Sequence, residues 1–331
     1  MYRVVLFSAV FVFTCSGREI VFPSAAGIGD STYQTPIGLT ETVDIVTGSQ
    51  FSGLTTFAHL PYVNCFIETE VPNRSYDIAF LGAPFDTGVT ARPGARYGPG
   101  GIRLGSRRMS GWSIFNGINP FDDWATVVDC GDAPLTFLDN TVALKQLDLA
   151  HKASMARNHT WDPEVLGGGI SHYAGVNHGT FLHIAHEEGL ISNSSLHVGI
   201  RAPMIRRKGD VRNDIRCGFE ILTARDLDRF GIDGMVERIK SRVSHNRVYI
   251  SVDIDVLDPS YAPATGTAEP GGFTSRELLS ILDGLSGLPV IGADVVEVAP
   301  IYDNPGETTT LAAAEVARSL LTLMIEEPVS P

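Results

Sequence analysis

The chain has 331 residues, 44% of them hydrophobic, which is enough to bury a substantial core in one large α/β domain or two smaller ones. It carries 25 basic and 38 acidic side chains, a net charge of −13. That balance argues against nucleic acid as a partner, because phosphate binding needs clustered Lys and Arg, while small cations can still be attracted.

The first residues, MYRVVLFSAVFVFTCSG, combine an early Arg, an apolar run from Val4 to Phe13 and small residues at Ser16 and Gly17. This pattern fits a secretory signal peptide over residues 1–17, and the run is too short to span a bilayer. No later stretch reads as a membrane helix, so the expected localisation is the secretory pathway, secreted or vacuolar. Sequons at Asn73, Asn158 and Asn193 are compatible with that route. Without Cys15, the widely spaced Cys65, Cys130 and Cys217 predict neither a disulfide framework nor a zinc site.

Residues 18–75 are rich in Gly, Ser and Thr with little periodicity and predict an extended arm laid over the domain. The ordered domain is expected over 76–331. Strands are predicted at Asp77–Gly82, Thr126–Asp129, Leu196–Ile200, Gly218–Leu222, Val248–Ile254 and Val290–Val298. Helices are predicted at Asn140–Asn158, Gly179–Glu188, Thr223–Ser244, Thr274–Leu285 and Thr308–Glu326. The cluster Arg206-Arg207-Lys208 with Arg212 and Arg216 is interleaved with Asp210 and Asp214 and reads as a solvated loop. Nearly continuous apolar strands alternating with helices imply a mostly parallel sheet covered on both faces, with ligands held beyond the carboxyl ends of the strands.

The stretch Ser251–Gly272, SVDIDVLDPSYAPATGTAEPGG, is the most informative. Asp253 and Asp255 are two residues apart, so in an extended strand they leave one face together. Two carboxylates so placed repel unless a cation sits between them, and hard oxygen ligands suit Mg, Ca or Mn. Asp258-Pro259 is explained by turn chemistry alone. The other two interrupt an apolar run, where an unpaired charge is costly to bury.

Asp253-Ile254-Asp255, Asp258-Pro259 and Pro263–Gly272 together resemble the signature of the ureohydrolases, and of agmatinases in particular. GAPFDTGVTARPGARYGPGGIR at Gly82–Arg103, GADVVEVAPIYD at Gly292–Asp303, Phe51–His59 and the closing helix extend the likeness over about four-fifths of the chain. The resemblance implies a three-layer α/β/α arginase-like fold and a binuclear manganese site whose bridging hydroxide attacks a guanidinium carbon, releasing urea and an amine. It implies that Asp253 and Asp255 are metal ligands, that Glu297 and Thr265 bind substrate, and that His178 returns a proton to the leaving amine. A carboxylate suits a planar, permanently protonated guanidinium, and an imidazole suits proton return. Glu297 could instead pair Arg92 or Arg96, and His178 could cap the helix beside it; His172, His183 and His186 read as structural. The implied partner is a small guanidino compound such as agmatine, and relatives of this kind are homo-oligomers. A metal-dependent deacetylase would share a related fold but not the Asp253–Gly272 loop.

The family also implies a Gly-Gly-Asp-His stretch and an Asp-Ala-His-x-Asp stretch, carrying four of six metal ligands. The chain reads Val165-Leu166-Gly167-Gly168-Gly169-Ile170-Ser171-His172 instead, and only nine residues separate Gly168 from His178. A βαβ unit needs about 30 or more. One central helix–strand unit is therefore expected to be missing near 168–170. Either the enzyme is inactive or strongly impaired, or the chain is a non-catalytic splice form or pseudoenzyme acting as a binding or assembly partner.

Overall fold

A computed structural model describes residue 51 and residues 53–67, 76–155, 177–204, 209–243 and 247–329. The expected signal peptide, most of the arm, His172 and the broken Gly-Gly motif lie outside these residues.

Apart from the successive helices α2 and α3, strands and helices alternate through the described chain: β1 (Ile78–Gly82), α1 (Gly98–Ser106), β2 (Val127–Asp132), α2 (Asn140–Met155), α3 (Phe181–Glu187), β3 (Ser195–Ile200), α4 (Gly209–Arg216), β4 (Phe219–Thr223), α5 (Asp226–Val243), β5 (Val248–Asp253), α6 (Ser275–Gly284), β6 (Val290–Val296) and α7 (Thr308–Glu326). The strands pair in parallel as β1–β2, β3–β4 and β5–β6, with Ile78 opposite Val127, Ser195 opposite Phe219 and Val248 opposite Val290. Among the described residues no ladder joins one pair to the next. No helix of these residues is long and apolar enough to cross a membrane.

Local chemistry sets the ends of the helices. Thr274 Oγ1 accepts from the Glu277 amide at 3.1 Å while Glu277 Oε2 accepts from the Thr274 amide at 2.8 Å, a reciprocal cap that starts α6. Asp226 accepts from both the amide and the hydroxyl of Thr223 and so begins α5 three residues later than the pattern suggests. The Asp303 carboxylate takes the amides of Thr309 and Thr310 at the start of α7, where the helix dipole favours negative charge. The main core packs Met235 and Ile239 of α5, Leu278, Ile281 and Leu282 of α6, and Val316 and Leu320 of α7 around Val252 and Ile254.

Three expectations need correction. Helix α1 lies where no helix was predicted, because its glycines serve close packing: a Cβ added at Gly105 would lie 2.6 Å from Thr310 O, and one at Gly101 2.5 Å from Pro300 Cγ. The basic stretch containing Arg212 and Arg216 includes a helix, α4. The arm does more than lie over the domain. Phe57 is 1% exposed and stacks on Phe80 with centroids 4.3 Å apart, and its amide donates to Asp129 Oδ2 at 2.8 Å. Asp129 N donates to Pro61 O and Val63 N to Asp129 O, both at 3.0 Å, so residues 61–63 cover the edge of β2 that would otherwise stay open.

The widely spaced cysteines are also not all free. Cys65 is bonded to Cys130, both buried, and ties the arm to β2. The bond closes a separation of 65 residues. Loop entropy puts the stabilisation at about 4 kcal/mol. Cys65→Ser is expected to lower the thermal midpoint by several degrees, and reductant to lower the parent to the same value; a midpoint indifferent to both would exclude a structural role for the bond.

Candidate functional site

Strand β5 is a Val-Tyr-Ile-Ser-Val run that stops at Asp253, whose side chain caps a single 3₁₀ turn, Ile254–Val256, by accepting from the Asp255 amide at 3.0 Å. The turn directs Asp255 to Thr267, whose hydroxyl donates to Asp255 Oδ2 at 3.1 Å. Parallel pairing sets Asp253 opposite Val296, so Glu297 is the first residue beyond the neighbouring strand. Glu297 has φ 64°, a left-handed conformation that costs a non-glycine residue free energy and is concentrated at functional sites.

The loop after β1 completes the rim. His178 Nδ1 stands 3.6 Å from Glu297 Oε1, and its Nε2 is 2.6 Å from Thr90 Oγ1. Its backbone amide donates to Gly88 O at 3.4 Å. Gly266 is required where it stands: an added Cβ would be 3.1 Å from Arg92 O and 3.4 Å from Glu297 Oε2. Beside it Thr265 is fully buried, and its hydroxyl has no hydrogen-bond partner among the described residues. Thus Asp253, Asp255, Thr265, His178 and Glu297, read from separate segments, come to one rim. Glu297 faces His178 rather than an arginine: Arg96 pairs with Asp86, and Arg92 lies over the Tyr302 ring. His178 precedes α3, whose N-cap is Thr180, and His183 faces Glu187 and Arg216.

One residue escaped the reading. Arg201, just past β3, donates from Nη2 to the carbonyls of Asp255, Leu257 and Glu269, the last at 2.7 Å, and from Nε to Glu269 O at 3.1 Å. A single guanidinium thereby fixes both ends of the acidic loop. Its signal, an Arg directly after an apolar strand, is too common to select it.

The rim is electrostatically unbalanced. Burial drives the Asp253 carboxyl well above the usual range, and the charges of Asp255 and Glu297 add to the effect. Burial also raises Asp255, against the Thr267 hydrogen bond and the Arg201 charge, and raises Glu297 against His178. Among the described residues no three His, Cys, Asp or Glu side chains gather to hold a metal ion. Two carboxylates offset only half the charge of two divalent cations and leave most coordination positions to water. The described residues therefore do not fit a two-manganese centre.

A carboxyl whose pKa is raised on folding binds more protons folded than unfolded, so stability falls as pH rises from the unfolded value of about 4. Asp253→Asn keeps an oxygen to cap the turn and removes one buried charge. In chelator at pH 7 it is expected to raise the unfolding free energy from urea titration by about 1 kcal/mol or more, and the urea midpoint with it, with the gain shrinking as pH falls. A midpoint at or below that of the parent at pH 7 would contradict this account of the rim.

The Arginase family model matches residues 76–174 and 160–322. "Putative agmatinase 1" of Schizosaccharomyces pombe is 44% identical over 338 aligned positions, covering 85% of this chain and 84% of its own. Among solved structures, the proclavaminate amidino hydrolase of Streptomyces clavuligerus superposes with TM-score 0.72 at 29% identity, covering 84% of this chain and 99% of that one. A hypothetical agmatinase from Burkholderia thailandensis gives TM-score 0.71 at 30% identity, covering 83% and 92%. The α/β architecture is thus arginase-like, and the chain belongs to the arginase family of hydrolases, on its agmatinase-like side.

Proposed function

We propose that this chain is an agmatinase-like ureohydrolase by descent that keeps the guanidinium-recognising wall of its site but lacks the segment supplying the other metal ligands. It then hydrolyses agmatine, or another guanidino compound, poorly or not at all. One observation carries this reading. The 338 positions aligned with the S. pombe relative take up 85% of 331 residues, about 281, so about 57 positions of the relative face no residue here. The family model likewise matches in two pieces that overlap at 160–174, around the broken Gly168-Gly169 motif.

In this reading Glu297 pairs with the planar guanidinium through charge-assisted hydrogen bonds, and the unpaired Thr265 hydroxyl lies beside that position. His178, held between Thr90 and Glu297, is the group that returns a proton to the departing amine. What the wall lacks is an activated water, since without both ions no hydroxide forms near neutral pH. The differing names of the relatives, agmatinase and proclavaminate amidino hydrolase, support a guanidino substrate without choosing one. The same gap favours a second reading, a non-catalytic splice form or pseudoenzyme that assembles with intact subunits.

The test is urea release from agmatine by the purified chain with added manganese, beside a version carrying the relative's stretch inserted between Gly168 and Gly169. The chain is expected to give urea at the blank rate, and the insertion to restore turnover and raise the thermal midpoint. Turnover by the chain at a level comparable to the restored version would refute the proposal.

A further inference from the structure

The turn between α3 and β3 reads Ile191-Ser192-Asn193-Ser194-Ser195, and Asn193 with Ser195 two positions on is an acceptor sequence for N-linked carbohydrate. Such triplets arise often by chance, so position must decide. Asn193 is exposed in a turn, and the turn is held from behind: Arg242 Nη2 donates to Asn193 O at 2.9 Å and to Gly218 O at 3.0 Å. Asn193 borders a groove of about 470 Å³ with exposed Ile215 and the polar heads of Glu220 and Arg242 on its walls, room and mixed surface for a first sugar. The turn lies at the amino end of β3, whereas Arg201 and the acidic rim lie past its carboxyl end. Six strand residues put roughly 20 Å between them, so a glycan would leave the rim clear.

Two independent features indicate the compartment. Cys65 and Cys130 are joined, and disulfides persist where the environment is oxidising. The chain also opens with the apolar run Val4–Phe13, as a secretory leader does.

We propose that Asn193 is an N-glycosylation site, modified as the chain passes through an oxidising secretory compartment. The donor is an oligosaccharide linked to a lipid pyrophosphate. Asn193 Nδ2 forms a bond to the anomeric carbon of the first N-acetylhexosamine, the bond from that carbon to the pyrophosphate oxygen breaks, and the lipid pyrophosphate leaves. The amide gives up one proton, and no oxidation state changes.

The experiment expresses the full chain, with its own first 17 residues, in a eukaryotic host. It reads gel mobility and peptide masses before and after peptide N-glycosidase, with a non-reducing peptide map for Cys65–Cys130. The peptide containing Asn193 is expected to carry an N-acetylhexosamine-based glycan and to hold Asp at that position after enzymatic release. Asn193→Gln and Ser195→Ala are each expected to remove one glycan-sized step, and Ser194→Ala none. Unmodified Asn193 in a chain whose Cys65–Cys130 bond has formed would overturn the proposal, as would an unmodified Asn193 alongside free thiols. Urea release plays no part in the readout, so failure of the ureohydrolase reading leaves this result intact.

Discussion

A buried carboxylate is stable only when its charge is answered, and the first third of this fold is built around one that is. Asp129 is fully buried in the middle of β2, where it accepts from Arg103 Nε at 2.8 Å and Arg103 Nη2 at 2.9 Å, and from the amides of Phe57 and Gly131. Burial works against the Arg103 charge, but the hydrogen bonds and charge of Asp129 and Asp132 outweigh it and hold the guanidinium above its ordinary pKa. One ion pair thus sets three elements: the arm through Phe57, α1 through Arg103, and β2 itself. Breaking such a pair from one side would strand the other charge in the interior, a loss of about 3–5 kcal/mol.

The acidic rim has the opposite character. Burial raises the pKa of Asp253, Asp255 and Glu297, and the charge of Asp255 adds to the rise at the other two, while Arg201 spends its donors on backbone carbonyls. Arg201 holds the shape of the acidic loop without neutralising it. The left-handed Glu297 and the fully buried Thr265 hydroxyl, without a partner among the described residues, are further costs concentrated at the same place. Strain and unbalanced charge gathered in this way are concentrated at functional sites and are poor design for a merely structural loop end.

The sheet carries the same mark. Three parallel pairs bring their carboxyl ends to one rim, since loops after β1, β3, β5 and β6 all touch there, yet no backbone ladder joins the pairs among the described residues. On the β5–β6 pair Tyr249 stays 58% exposed, its hydroxyl bonded to Asp294, although strands of parallel sheets are ordinarily covered. Each pair closes its own ladder, and the helices α5, α6 and α7 form the main core beside the strands.

The sequence by itself determined most of the strand–helix order, because apolar periodicity is a local property, and it carried the family resemblance in the Asp253–Gly272 stretch; the helices α1 and α4 were not legible in it. It also carried the break at Gly168-Gly169, which is a matter of residue count. Only the tertiary structure decided that Gly101 and Gly105 serve helix packing, that Phe57 belongs to the core, that Cys65 bonds Cys130, and that Arg201 reaches the acidic loop from 54 to 68 residues away. These are non-local facts: a glycine looks the same in a turn and under a neighbouring helix, and a cysteine or an arginine gains its role only when folding brings a distant partner within bonding distance.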